Sequence, residues 1–137
     1  MTDPIEKSDA EWKQQLTPDQ FHVLRERGTE PRGTSPLNGE KRPGAFVCGA
    51  CGQPLFTSET KYESGTGWPS FYKPIEGAID TTTDTSYGMR RVEVHCSRCG
   101  GHLGHVFPDG PAPTGERYCM NGLAMRFEPT LGAHDHG

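Results

Sequence analysis

Apolar and polar positions alternate in short stretches along most of this chain, and only its N-terminal part carries helical signals. Ser8-Asp9-Ala10-Glu11 has the form of a capping box ahead of Trp12, Gln15 and Leu16. Thr17-Pro18-Asp19-Gln20 repeats the signal with proline at the first helical position, followed by the apolar residues Phe21, Val23 and Leu24 and by a stop at Gly28. Two short helices are therefore expected within residues 8–28, bracing whatever follows. Thr29 to Gly44 is polar and rich in proline and glycine, which predicts a long loop packed across the surface. Strands are predicted at Phe46-Val47, at Leu55-Phe56, over Arg90 to His95 with Val92 and Val94 on one face, over Glu116 to Cys119, and over Ala124 to Glu128 with Met125 and Phe127 inward. Thr81 to Thr85 reads as a polar turn and Pro108 to Gly115 as a loop. A β core over 44–128 and a frayed tail over 129–137, with His134 and His136 solvated, complete the expectation for one domain spanning 1–137.

Cysteine spacing adds a constraint that periodicity does not. Cys48-Gly49-Ala50-Cys51-Gly52 and Cys96-Ser97-Arg98-Cys99-Gly100 are two C-x-x-C-G knuckles. Two thiolates from each would make the tetrahedral sulfur cage that zinc prefers. The glycine after each pair tolerates positive φ, so the backbone can curl and aim amide N–H groups at the sulfurs. Two disulfides in a secreted domain are the first alternative, but the opening residues Met1 to Lys7 have no apolar core and predict no signal peptide, hence a cytoplasmic setting. A redox pair is the second, but that motif belongs to a βαβ pattern that is missing here. The knuckles lie 44 residues apart, well beyond the ~15–20 of a simple ribbon. One structural Zn²⁺ held by Cys48, Cys51, Cys96 and Cys99 would thus clip distant parts of one fold.

Composition narrows the function classes. The net charge of −4 argues against a general nucleic-acid binder. No apolar run approaches a membrane span. Glycine (18) and proline (12) are abundant in the 137 residues, which suits tight turns and short strands rather than disorder. Of five cysteines, Cys119 is the one that the knuckles leave over.

Three further stretches carry candidate chemistry. Lys61 to Tyr72 contains Ser64-Gly65-Thr66-Gly67-Trp68-Pro69-Ser70-Phe71, too glycine-rich for a helix and too aromatic for a linker. It is either a turn whose rings plug the core or a binding loop with Trp68 as a wall. His102 and His105 follow the second knuckle. Arg117-Tyr118-Cys119-Met120-Asn121 would, on a strand, present Arg117, Cys119 and Asn121 on one face. A nearby arginine and histidines would favour thiolate over thiol, against the bland alternative of a buried inert cysteine.

Together with the knuckles, Ser64 to Phe71, Gly101-His102-Leu103-Gly104-His105-Val106-Phe107 and Gly115-Glu116-Arg117-Tyr118-Cys119-Met120-Asn121 closely resemble the methionine-R-sulfoxide reductase B family, over most of the chain from about the second helix to Phe127. The resemblance implies a mainly β (α+β) fold of two antiparallel sheets clipped by zinc, with N-terminal helices. It implies a peptide-methionine (R)-S-oxide reductase that reduces free or protein-bound methionine-R-sulfoxide in protein repair and defence against oxidative stress. Carried over, it makes Cys119 the nucleophile, with His102, His105 and Asn121 as the other catalytic residues and Trp68, Phe71, Asp109 and Arg117 at the substrate. Thiolate attack on the sulfoxide sulfur, with a proton delivered to the oxygen, would leave Cys119 as sulfenic acid. Many relatives carry a second redox cysteine where this chain has Thr66, so thioredoxin or a small external thiol would have to reduce Cys119 again. A monomer is expected.

Two rivals stand against this reading. A zinc-ribbon-like binding module without chemistry predicts a Cys119 thiol titrating at or above the ordinary ~8.5. A hydrolytic metalloenzyme with His102 and His105 as ligands predicts an open metal site and no role for Cys119.

Overall fold

The computed structural model describes residues 8–26, 28–85 and 91–129. Both expected capping boxes form. In α1 (Asp9–Gln15) the Ser8 hydroxyl accepts the Glu11 N–H while the Glu11 carboxylate accepts the Ser8 N–H. In α2 (Pro18–Glu26) Thr17 and Gln20 exchange the same pair of bonds. Trp12, Leu16, Phe21, Val23 and Leu24 are buried by these helices. The expected stop falls at the described end of α2, where the Gly28 N–H reaches back to the His22 carbonyl at 2.8 Å; Arg27 is outside the described residues.

Among the described residues nine strands follow: β1 Gly44–Cys48, β2 Pro54–Thr57, β3 Lys61–Tyr62, β4 Ser70–Phe71, β5 Ile79–Asp84, β6 Arg91–Cys96, β7 His102–Phe107, β8 Arg117–Met120 and β9 Met125–Pro129. They form two antiparallel sheets, one of three strands in the order β2-β1-β9 and one of six in the order β3-β4-β8-β7-β6-β5. This is the mainly β architecture with short N-terminal helices that the resemblance implies.

Several boundaries differ from expectation for local reasons. The threonine-rich run read as a turn is most of β5, with Thr81, Thr82 and Thr83 paired to Val94, Glu93 and Val92. Threonine is β-branched and suits a half-exposed strand as well as a turn. Pro129, placed in the frayed tail, ends β9 opposite Gly44; residues 130–137, including His134 and His136, lie outside the described part. Val94 is buried but Val92 is exposed, because the strand runs past the edge of the core.

Three fully buried rings lock the sheets together. Phe46 and Phe56 come from the small sheet and Phe71 from the large one. Phe71 stacks on Phe56 at 4.3 Å and meets Phe46 edge-on at 5.0 Å. Phe71, expected at the substrate, is therefore a core residue: its neighbour Ser70 takes the site-facing position of the pleat and Phe71 points the other way. Phe71→Ala is expected to cost about 3–5 kcal/mol of folding stability, read by urea denaturation. An unchanged unfolding midpoint with impaired substrate binding would instead return Phe71 to the site.

Candidate active site and four-cysteine centre

The two knuckles meet between the sheets. Cys48 ends β1 and Cys96 ends β6, so each sheet contributes a strand terminus. All four Sγ atoms lie within 4.8 Å of one another, with Cys48–Cys99 and Cys51–Cys96 each at 3.6 Å. Sulfurs about 2.3 Å from one tetrahedral metal would sit about 3.8 Å apart, so the spacing fits such an ion. Gly52 and Gly100 have φ of 81° and 75°, the curl predicted for the knuckles. The Ala50 N–H donates to Cys48 Sγ and the Gly101 N–H to Cys99 Sγ, both at 3.4 Å. The four thiols divide: hydrogen bonding, from Cys48 above all, pulls Cys96 and Cys51 below the ordinary thiol value, while Cys48 and Cys99 are pushed above it. That donor set suits a soft or borderline cation. The helices sit on both knuckles: Gln15 Nε2 donates to the Ala50 carbonyl at 2.5 Å and Arg25 Nη1 to the Cys99 carbonyl at 3.0 Å. Among the described residues this is the one group of histidine, cysteine and acidic side chains whose ligand atoms converge. The hydrolytic reading, which needs a second set at His102 and His105, finds no such convergence.

Cys119 lies in the large sheet, away from that cluster. Strand register places it opposite Ser70 of β4 on one side and His105 of β7 on the other. The row continues to Tyr62 of β3 beyond Ser70, and to Glu93 of β6 and Thr82 of β5 beyond His105. Directly opposed residues share a sheet face. One transverse line thus reads phenol, hydroxyl, thiol, imidazole, carboxylate, hydroxyl. The opposite face of the same strands carries Phe71 and Tyr118. Gly104 makes the close strand pairing possible, since a Cβ there would strike the Cys119 carbonyl and lie 2.9 Å from Met120 Cα.

A pocket of about 210 Å³ opens beside Cys119, lined also by Trp68, His105 and Asn121, with Thr29, Arg91, Gly104 and Phe107 completing it. The Trp68 indole N–H donates to the Glu30 carbonyl at 3.0 Å. The Asn121 Oδ1 accepts the Glu30 N–H at 3.0 Å, and its Nδ2 donates to the Leu103 carbonyl at 3.1 Å. Thr66 Oγ1 lies 3.9 Å from Cys119 Sγ and 2.9 Å from Ser64 Oγ, which in turn meets Ser70 Oγ at 2.7 Å.

Other expected site residues stand further back. His102 is buried behind His105, ring centroids 5.5 Å apart, and its Nδ1 is 2.7 Å from the buried Glu93 carboxylate. Arg117 donates to Asp109 through Nε at 2.9 Å and Nη2 at 3.2 Å, and its guanidinium lies 4.4 Å from the centre of the Phe107 ring. Asp109 itself is exposed. Arg117 holds the Asp109 carboxyl below its ordinary range. Ser64, Ser70, Glu93 and Phe107 surround the site without having been singled out from sequence. Finding them needs strand register: Ser70 lies opposite the cysteine one strand away, and Glu93 two strands away on the other side.

The expected thiolate bias of Cys119 is outweighed. Burial pushes its thiol up from the ordinary value, against the Thr66 hydroxyl and the Arg117 guanidinium, which pull it down. A thiol raised by burial is what the binding-module reading expects, and it lends no support to a resting thiolate.

The SelR domain family model matches residues 16–129. Proteins named peptide methionine sulfoxide reductase MsrB are similar over nearly their whole length. That of Agrobacterium fabrum is 53% identical, covering 94% of this chain and 97% of its own. That of Leptospira interrogans is 54% identical, covering 90% and 95%. That of Methanosarcina barkeri is 58% identical, covering 90% and 88%. The chain therefore belongs to the SelR-domain family of methionine sulfoxide reductases B. Among solved structures, the Mis18 "Yippee-like" domain matches with a TM-score of 0.53 at 20% identity, covering 66% of this chain and 99% of that one. That likeness extends to the fold alone.

Because the folded Cys119 pKa is raised, thiolate is scarcer at neutral pH than in free cysteine and accumulates only at higher pH. Its alkylation rate by iodoacetamide is expected to keep climbing beyond about pH 8.5, the ordinary thiol value. A plateau reached well below that pH would mean that Arg117 and Thr66 outweigh burial.

Proposed function

We propose that this chain is a peptide-methionine (R)-S-oxide reductase, with Cys119 as nucleophile and a structural zinc ion on Cys48, Cys51, Cys96 and Cys99. One observation carries the reading: in a chain at least half identical to proteins named methionine sulfoxide reductase, the cysteine outside the sulfur cluster lines a small pocket with an indole, an imidazole and an amide. Zinc, when bound, supplies a closed tetrahedral crosslink and no open position for chemistry.

The remaining work belongs to the side chains. The Trp68 ring forms an apolar wall for the S-methyl group. Cys119 sulfur attacks the sulfoxide sulfur. A proton reaches the sulfoxide oxygen from the His105 side of the pocket, with His102 supporting His105 from behind. The protonated oxygen passes to Cys119 as the substrate's sulfur–oxygen bond and the transient bond between the two sulfurs break: Cys119 is oxidised by two electrons to sulfenic acid, and methionine leaves reduced by the same two. Arg117, steadied by Asp109, and Thr66 stabilise negative charge on Cys119 as it forms. Substrates are oxidised proteins or free methionine sulfoxide. Thr66 cannot form a disulfide, and a knuckle cysteine could do so only by leaving the metal. Reduction of the sulfenic acid therefore falls to an external thiol, thioredoxin or a small one, through a mixed disulfide. No helix among the described residues is long and apolar enough to cross a membrane, and a cytoplasmic protein is the reading adopted.

The test is turnover of separated sulfoxide epimers. The R epimer should be reduced by wild type and not by Cys119→Ser. Without reductant, wild type should release about one methionine per chain and then trap dimedone on Cys119. Full activity in Cys119→Ser would end the assignment, and a Cys119 disulfide to a knuckle cysteine with metal release would end the one-cysteine cycle. For the metal, Cys96→Ser should lose zinc and melt well below wild type. A variant that keeps both zinc and melting temperature would show that the four thiols are not its ligands.

A further inference from the structure

Glu30 lies in the stretch that reads, from sequence, as a surface loop, yet it is only 2% exposed. Its carboxylate spans two consecutive backbone amides just past the nucleophile strand. Oε2 accepts the Gly122 N–H at 2.8 Å and Oε1 accepts the Leu123 N–H at 2.9 Å. Its backbone reaches the pocket in both directions. Its N–H donates to Asn121 Oδ1 at 3.0 Å, and its carbonyl accepts the Trp68 indole N–H at 3.0 Å. One residue therefore touches two walls of the Cys119 pocket, Trp68 and Asn121, and the turn that follows β8 and Asn121.

We propose that Glu30 is the positioning residue that orients Trp68 and Asn121 together for substrate binding. The orientation of Asn121 follows from its partners. Oδ1 must face the Glu30 N–H and Nδ2 must face the Leu103 carbonyl, which leaves one Nδ2–H as the group this amide has to offer a ligand. The indole is fixed in the same way, because its single N–H is committed to Glu30 and what remains for the pocket is ring surface. Both settings depend on where the backbone at residue 30 sits. Two charge-assisted bonds from the carboxylate anchor that backbone against the 122–124 turn. The rest of the loop follows the same path. The Gly33 N–H and the Asn38 Nδ2 both donate to the Gly67 carbonyl, at 2.7 and 3.0 Å. The approach is tight enough that a Cβ on Gly122 would strike the Ser35 hydroxyl.

This inference rests on the reductase reading, and its test separates the two. Glu30→Gln keeps the size of the side chain, but its amide can accept only one of the two N–H bonds and turns an NH₂ group toward the other. The variant is expected to keep its zinc and to show a kcat/KM for methionine-R-sulfoxide lower by roughly tenfold. The loss should fall mainly on KM, since Trp68 and Asn121 hold substrate rather than move its proton. Alkylation of Cys119 should stay within about twofold of wild type, because the thiol's own neighbours are untouched. Hydrogen exchange at the Trp68 indole N–H, assigned by its loss in Trp68→Phe, should be faster. A purely structural role would lower the melting temperature without moving KM or indole exchange, and that result overturns the proposal. If Glu30→Gln does not fold, Glu30→Asp, which keeps the charge but draws it back by one methylene, is read in the same two ways; failure of both to fold marks Glu30 as a folding residue and also overturns it. If wild type itself turns over no sulfoxide, the reductase reading falls, while indole exchange in Glu30→Gln still decides whether Glu30 holds the pocket walls.

Discussion

The junction of four cysteines is the constraint on which the rest of the fold depends. Its two halves sit at the ends of β1 and β6, strands of different sheets. The sheets also meet through an aromatic cluster of Phe46, Phe56, Phe71 and Tyr118. Apolar residues make up only 31% of the chain, so burial alone has little material to work with. A metal ion held there would crosslink distant residues, which removes freedom mainly from the unfolded chain and does so more the longer the span. The N-terminal helices then cap the junction, Gln15 on one knuckle and Arg25 on the other. Helices that look like accessories in a linear description are the lid of the sulfur cluster.

The site is built at a distance from that junction by a division of the large sheet into two faces. Phe71 and Tyr118 face the core, and the residues beside them in each strand, Ser70 and Cys119, face the pocket. A one-residue slip of β8 against its neighbours would exchange these sets and put a tyrosine where the thiol belongs. The register is held in part by Gly104, which lets β7 approach β8 more closely than any side chain would allow. Stability and chemistry thus use alternate residues of the same short strands.

The sequence is legible where the chemistry is local. Capping boxes at Ser8 and Thr17 announce helix starts because the bonds that make them lie within one turn. The knuckles announce a cluster of four cysteines that could hold a metal because ligand type and glycine placement are both local. Legibility fails where a role depends on contacts far along the chain. Phe71 sits inside a functional motif, and its residue type fits a pocket wall as well as a core; only strand pleating decides. Glu30 is an acidic residue in a polar, proline-rich run, with partners 91 to 93 residues away, and nothing near it in sequence marks it. The threonines of β5 look like a turn because threonine serves both, and pairing with β6 settles the matter.

The raised Cys119 pKa illustrates why residue type alone is a weak guide to reactivity. An arginine in the neighbourhood ordinarily argues for thiolate. Here Arg117 also has Asp109 as a bidentate partner and an aromatic ring beneath it, so Asp109 offsets part of its field, and burial outweighs what Thr66 and Arg117 contribute at Cys119. A thiol that stays protonated at rest is a poorer target for stray oxidants, since the thiolate is the reactive form. For sulfoxide reduction this is compatible with catalysis, because the reaction needs a proton at the oxygen as well as electrons from the sulfur. In the proposed reaction the thiol would stay neutral beside His105 until a substrate oxygen is present to receive a proton from that side of the pocket.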